Sequence, residues 1–294
     1  MRKNILIVYN PKAGKNGAAH MLPQVVQRVR ERGFRCVAYP ILPGFGAEEI
    51  IDYEKGNFHH IVCCGGDGSL NHTINGLMQL EDRPSLIYLP TGSTNDFARS
   101  LELSKDIDIA CSKLKNAQPF YYDIGKFNDT YFNYVAAFGA FTKVPYTTSQ
   151  VLKNQLGHTA YIIEGIKHLP IGQYHTRTVI SEERVYHGDY IYCSVSNSTS
   201  VGGMSVPGKA EVSMNDGLFE VLLIKAPKSV FDLQGIVTAM ATQNFDNQYI
   251  SYFKTRKIRF EFTQETPWTL DGEFGGDVKS VDISVINQAI GILK

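Results

Sequence analysis

The pattern of apolar and polar positions changes character near residue 125. Upstream, unbroken apolar runs alternate with segments of helical period. The runs at Asn4–Tyr9, 61–64 and 86–89 have the continuous hydrophobicity of strands covered on both faces, the habit of a parallel sheet. Residues 34–39 predict another strand. Met21, Leu22, Val25, Val26 and Val29 recur at helical spacing, and 47–53 predicts a further helix. Strands alternating with helices predict an α/β domain over residues 1–125. Downstream the texture is β. Residues 190–195, 218–224, 257–262 and 281–285 predict strands, and helical interruptions fall at 151–168 and 230–243. Ile258, Phe260 and Phe262 share one face while Arg259 and Glu261 take the other, a period of two that suits a mainly antiparallel β-sandwich or barrel over 126–286.

Candidate chemistry sits where predicted strands end. Gly65-Gly66-Asp67-Gly68-Ser69 follows one strand, and Pro90-Thr91-Gly92-Ser93-Thr94-Asn95-Asp96-Phe97 follows the next. Glycines let backbone approach an anion, and a helix starting near Ser69 would aim free amides at it, so the layout reads as a phosphate site. The turn Asn10-Pro11-Lys12-Ala13-Gly14-Lys15 adds two lysines after the first strand. Two acidic segments lie further on, Asp123-Ile124-Gly125 and Asp271-Gly272-Glu273. Trp268 and Leu270 alternate with Thr269 and Asp271, so a core-facing tryptophan predicts that Asp271 points off the core.

Composition narrows the class. The chain has 294 residues, 43% of them hydrophobic, enough for two cores. Its 29 basic and 29 acidic side chains cancel, so no global field recruits nucleic acid, and any membrane contact must be local. No apolar run approaches the roughly 18 residues of a membrane-spanning helix, and the first strand begins where a signal peptide would stand. The expectation is a cytoplasmic protein. The five cysteines read as reduced core residues, and His59-His60 as a loop at the start of a strand in preference to a zinc site.

Taken in order, these segments resemble the diacylglycerol kinase catalytic family, especially its soluble bacterial lipid kinases, nearly end to end. The matching residues are Asn10-Pro11-x-x-Gly14-Lys15, Gly65-Gly66-Asp67-Gly68, Gly92-Ser93-Thr94-Asn95-Asp96-Phe97-Ala98-Arg99, Asp123-Ile124-Gly125, Asn215-Asp216-Gly217 and Asp271-Gly272-Glu273. The resemblance implies an α/β nucleotide-binding domain completed by 287–294, a β-sandwich lipid-acceptor domain, and an active site in the cleft between them. It implies ATP and Mg2+, and transfer of the γ-phosphoryl group to a lipid hydroxyl, with diacylglycerol giving phosphatidic acid as the leading acceptor. Asn10, Pro11, Gly14, Lys15, Gly65, Gly66, Asp67, Gly68, Ser69, Asn71, Gly92, Ser93, Thr94 and Asn95 would hold the nucleotide. Asp67 and Asp96 would hold Mg2+ directly or through water, because a carboxylate beside bare phosphates only repels. Asp271 or Glu273 would accept the proton of the acceptor hydroxyl, and Asp123 would support Asp67 or the metal. A structural metal would sit on Asp216 with backbone oxygens of Ser213 and Leu218. Gly202, Gly203 and Pro207 would shape a loop.

Phe138, Phe141 and Tyr146 are candidate acceptor contacts, although core packing is the commoner use of aromatics in such stretches, and Lys143, Lys153, Lys167 and Lys254 are candidates for a membrane-facing patch, with scattered surface lysines as the default reading. The protein would then bind peripherally at the inner membrane face, with homodimer formation open. Two departures stand out: Ala13 where the family often has serine, and Ile41 near a position where it often has threonine. They motivate a second reading, a lipid-binding or regulatory protein that has lost catalysis. A third is a kinase of a soluble acceptor in the manner of NAD kinases, which share the GGDG loop.

Overall fold

Four strands, β1 (Asn4–Tyr9), β2 (Arg35–Pro40), β3 (His60–Gly65) and β4 (Ser85–Pro90), run parallel in the order β2-β1-β3-β4. The computed structural model describes residues 4–13, 18–139, 176–182, 184–201, 204–205, 212–242, 244–245 and 247–294. Gly14, Lys15, Phe141, Lys143, Tyr146, Lys153, Lys167, Gly202, Gly203, Pro207 and the helix expected over 151–168 lie outside the described residues. The described chain divides into two units. Unit 1 comprises Met1–Ile124, Tyr131–Asn133 and Asn287–Lys294, and unit 2 comprises Gly125–Thr130 and Tyr134–Ile286.

In unit 1 the inner strands are buried throughout their centres, as continuous apolar runs require. β2 lies at the edge and alternates, with Arg35 and Val37 exposed. Helices α1 (Leu22–Glu31), α2 (Ala47–Tyr53), α3 (Asp67–Met78), α4 (Asp96–Ser100) and α5 (Ile107–Asn116) join or follow these strands. α1 buries Val25 and Val29, and α5 buries Ile107, Ala110, Cys111 and Leu114, in one core with Ile5, Ile7, Val62 and Ile87. The next strands are β5 (Phe120–Phe127) and β6 (Thr130–Phe132), which pair with each other. Asn75 of α3 fastens β6: it accepts the Tyr131 N–H at 3.1 Å and donates to the Tyr131 carbonyl at 3.0 Å.

Unit 2 is mainly antiparallel. It contains β7 (Val135–Gly139), β8 (Thr176–Ser181), β9 (Val185–His187), β10 (Tyr190–Ser196), the short pair β11 (Ser200–Val201) and β12 (Met204–Ser205), β13 (Phe219–Lys225), α6 (Val230–Ala241), β14 (Ile250–Thr255) and β15 (Lys257–Leu270). The strand order runs β14-β13-β10-β7-β15, and β8 also pairs with β15. The last strand, β16 (Glu273–Ile292), pairs with β15 and then continues into unit 1, where Ile292 lies parallel beside Leu86 of β4. Trp268 is fully buried and packs its ring on Phe127, Phe138, Phe260 and Phe262 at centroid distances of 4.9 to 6.2 Å.

Candidate active site

Strands β1, β3 and β4 release their loops at the carboxyl edge of the unit 1 sheet, and these loops are bonded to one another. After β1, the Asn10 N–H donates to the Cys64 carbonyl at 2.9 Å, while Asn10 Oδ1 accepts the Lys12 N–H at 3.0 Å and turns the chain. Asn10 Nδ2 then donates to Ser69 Oγ, 3.3 Å away in the first turn of α3. After β4, the Thr91 N–H donates to the Gly65 carbonyl at 2.8 Å. The second and third loops approach more closely than a side chain allows, for a Cβ on Gly92 would stand 2.7 Å from the Gly66 Cα. Asn95 fixes that approach. Held at a φ of 53°, it accepts the Gly92 N–H at 3.0 Å and donates to the Gly92 carbonyl at 2.6 Å.

Helix α3 opens at Asp67, two residues before the expected start, with Gly66 as its N-cap. Glycine has no side chain to cap with, which suits an outside acceptor at the positive end of the helix. Asp67 is half-buried, and its Oδ2 accepts the Asp96 N–H at 3.2 Å, so one carboxylate ties the second loop to the start of α4. Asp96 is 1% exposed and opens α4, the N-cap being Asn95. Pro11 is half-buried, Gly68 and Thr94 likewise, and Ser93 is exposed. Asn71 turns elsewhere: its Nδ2 donates to the Tyr131 carbonyl at 3.4 Å. Asp123 lies in β5 and is fully buried, accepting from Asn287 Nδ2 at 2.8 Å and from the Gln288 N–H at 2.6 Å. These contacts fasten the returning tail.

In unit 2, Asp271 and Gly272 form the two-residue loop between β15 and β16, with φ values of 52° and 90°. Strand alternation therefore stops at Leu270. Asp271 does not point off the core; it is 4% exposed, and its Oδ1 accepts the Tyr134 and Val135 N–H groups at 2.9 and 3.0 Å. The Asp271 N–H returns a bond to the Val135 carbonyl at 2.8 Å. Glu273 is exposed. Phe138 is buried against Trp268 and belongs to the core. In the turn before β13, Ser213 Oγ donates to Asn215 Oδ1 at 3.1 Å, and Asp216 Oδ1 accepts the Leu218 N–H at 3.1 Å. Lys254, a candidate for a membrane-facing patch, pairs with Asp216 at 3.4 Å and with Glu220 at 3.1 Å. Burial pushes the Glu220 carboxyl up to about 7, against the pull of Lys254.

Comparison with known proteins fits this geometry. Residues 4–127 match the diacylglycerol kinase catalytic domain. A diacylglycerol kinase of Staphylococcus saprophyticus is 31% identical over 280 residues, covering 94% of this chain and 90% of that one. The chain belongs to the diacylglycerol kinase catalytic family. A diacylglycerol kinase of Bacillus subtilis strain 168 is 29% identical over 276 residues, covering 93% of this chain and 91% of that one. The kinase fold agrees: the crystal structure of a diacylglycerol kinase from Bacillus anthracis strain Sterne aligns with a TM-score of 0.73 at 21% identity, over 99% of this chain and 96% of that chain. Among the described residues no helix is long and apolar enough to cross a membrane.

The family implies a divalent ion at the nucleotide. The Asp67 and Asp96 carboxylates offer the hard oxygens such an ion takes. Among the described residues no group of three or more His, Cys, Asp or Glu forms a closed cage, and Mg2+ is ordinarily held by one or two carboxylates, phosphates and water. These residues fit. Tyr134 and Gln288 act through backbone amides, which leave no residue-type signal, and nothing in the sequence marks the side-chain contacts by which Asn75 holds β6 and Asn287, at the start of the expected returning tail, holds Asp123. Helix α5 is not among the helices expected above, although Asp106 caps it by accepting from Asp108 N–H and Ile109 N–H, a pattern legible in Asp106-Ile107-Asp108.

Proposed function

We propose that this member of the family transfers the γ-phosphoryl group of ATP to a lipid hydroxyl, with diacylglycerol as acceptor and phosphatidic acid as product. The observation that carries the reading is the Asp67 carboxylate, bonded to the Asp96 amide where two glycine-lined loops meet at the uncapped start of α3. Asn10, Ser69, Gly66, Gly92 and the α3 amides would receive phosphate oxygens, joined by Gly14 and Lys15. Mg2+ on Asp67 and Asp96 would neutralise charge on the phosphates as the bridging bond lengthens. Asp271 is the better candidate than Glu273 for receiving the acceptor's proton, because its amide bonds fix its orientation while Glu273 is exposed. The hydroxyl oxygen bonds to phosphorus, the bond to the ADP oxygen breaks, and the hydroxyl proton passes to the Asp271 carboxylate. A loose transition state asks this group more for orientation than for strong basicity.

The test is transfer of labelled γ-phosphate from ATP and Mg2+ to a panel of lipids in mixed micelles. Label on diacylglycerol, lost in Asp67→Asn, is expected. Label on a water-soluble alcohol in the absence of micelles would favour a soluble acceptor. Lipid binding without label would favour the silent protein that Ala13 and Ile41 bring to mind.

A further inference from the structure

The turn before β13 carries a charge arrangement that differs from the family expectation. β13 and β14 pair in a register that sets Glu220 opposite Lys254. The Lys254 ammonium lies 3.1 Å from Glu220 Oε1 and 3.4 Å from Asp216 Oδ2. The Glu220 side chain is 2% exposed and those of Lys254 and Asp216 are 27% and 29% exposed, so Glu220 is buried while the other two are partly screened from bulk water. A cation between carboxylates at the edge of an interior favours their charged forms, and removing it leaves them either charged and uncompensated or neutralised by protons.

A divalent ion on Asp216, with carbonyl oxygens of Ser213 and Leu218, does not fit these residues. Asp216 Oδ1 accepts the Leu218 N–H at 3.1 Å and Oδ2 faces the ammonium, so both carboxylate oxygens are engaged. A second cation beside Lys254 would also be repelled. We propose that Lys254 is the built-in cation of this turn, so that unit 2 holds residues 212–218 without a divalent ion. The register supplies the positive charge as part of the fold, with no free ion to immobilise. Take the ammonium away and a pocket with two carboxylates remains, which is what an oxygen-seeking ion such as Ca2+ fills.

The experiment uses full-length, nucleotide-free protein carrying Asp67→Asn, so that the expected catalytic ion does not contribute. Thermal melting is followed in chelator and in millimolar Ca2+. The parent should melt at the same temperature in both, and so should Lys254→Arg. Lys254→Met should melt several degrees lower in chelator and recover at least half of that loss in Ca2+. A parent that loses several degrees on chelation, an unchanged Lys254→Met, or a lowered one that ignores Ca2+ would each overturn the proposal. Should Lys254→Met fail to fold, Mn2+ binding to the parent decides. No bound Mn2+ that is lost on Asp216→Asn supports the built-in cation, and one such ion overturns it.

Discussion

Asp67 has two tasks that substitutions can separate. As hydrogen-bond acceptor for the Asp96 N–H it holds the start of α4, and as a carboxylate it would hold the metal. Asp67→Asn keeps an acceptor oxygen and loses the charge. It should melt within a degree or two of the parent while phosphoryl transfer falls about 10²- to 10³-fold. Asp67→Ala should lose the same activity and also about 0.5–2 kcal/mol of stability, as removal of a cap does, read by urea denaturation. Asp271 divides similarly. Asp271→Asn retains the acceptor oxygen and tolerates the positive φ, so stability should hold while the rate falls about 10²- to 10⁴-fold. Asp271→Ala leaves two amides without their acceptor, each worth about 1–3 kcal/mol, and should be recognised by its lowered denaturation midpoint. The identity of Asp271 as a candidate was legible from its motif. Its burial was not, because a two-residue loop with positive φ ends the strand period before reaching it.

Between elements, the decisive contact is the approach of the second and third loops of unit 1. Gly92→Ala would thrust a methyl group to 2.7 Å from the Gly66 Cα and 2.9 Å from Asn95 Oδ1. Both neighbours are fixed, one as backbone and the other by its bonds to Gly92. The variant should lose about 1–3 kcal/mol and bind ATP at least tenfold more weakly, measured by calorimetry. Much of this element scale could be read beforehand. The expected helix over 47–53 matches α2 residue for residue, and the apolar runs of β3 and β4 mark their strands because sheets covered on both faces leave no polar positions at their centres. The long strands could not be read so far. β15 continues through Thr263, Gln264, Glu265, Thr266 and Pro267, a polar stretch where its register against β16 shifts between Glu261 and Thr266. Only pairing with neighbours distant in sequence makes that stretch a strand.

Across the whole molecule, all five cysteines are free thiols, and four are buried. Burial pushes Cys63 up to about 12, opposed by its bond from Thr73, and Cys111 up to about 11; it also raises Cys64 and Cys193 well above the ordinary value. Native protein at pH 8 should therefore react with a thiol reagent slowly and at half-buried Cys36 alone, the other four reacting only on unfolding. The stability sign follows from the same shifts. Unfolded thiols ionise from about pH 9 while buried ones stay protonated, so this contribution is complete below pH 9 and is lost as pH rises toward 12. A melting temperature that fell between pH 7.5 and pH 10 would agree, and a rise would not. The returning tail bears on how such a molecule is made. Asp123 and Leu86 bond to residues 287, 288 and 293, so the first unit to leave the ribosome cannot close until synthesis has passed through everything between. The half built first is finished last, and through that interval a nascent chain exposes an unfinished sheet that a chaperone could cover.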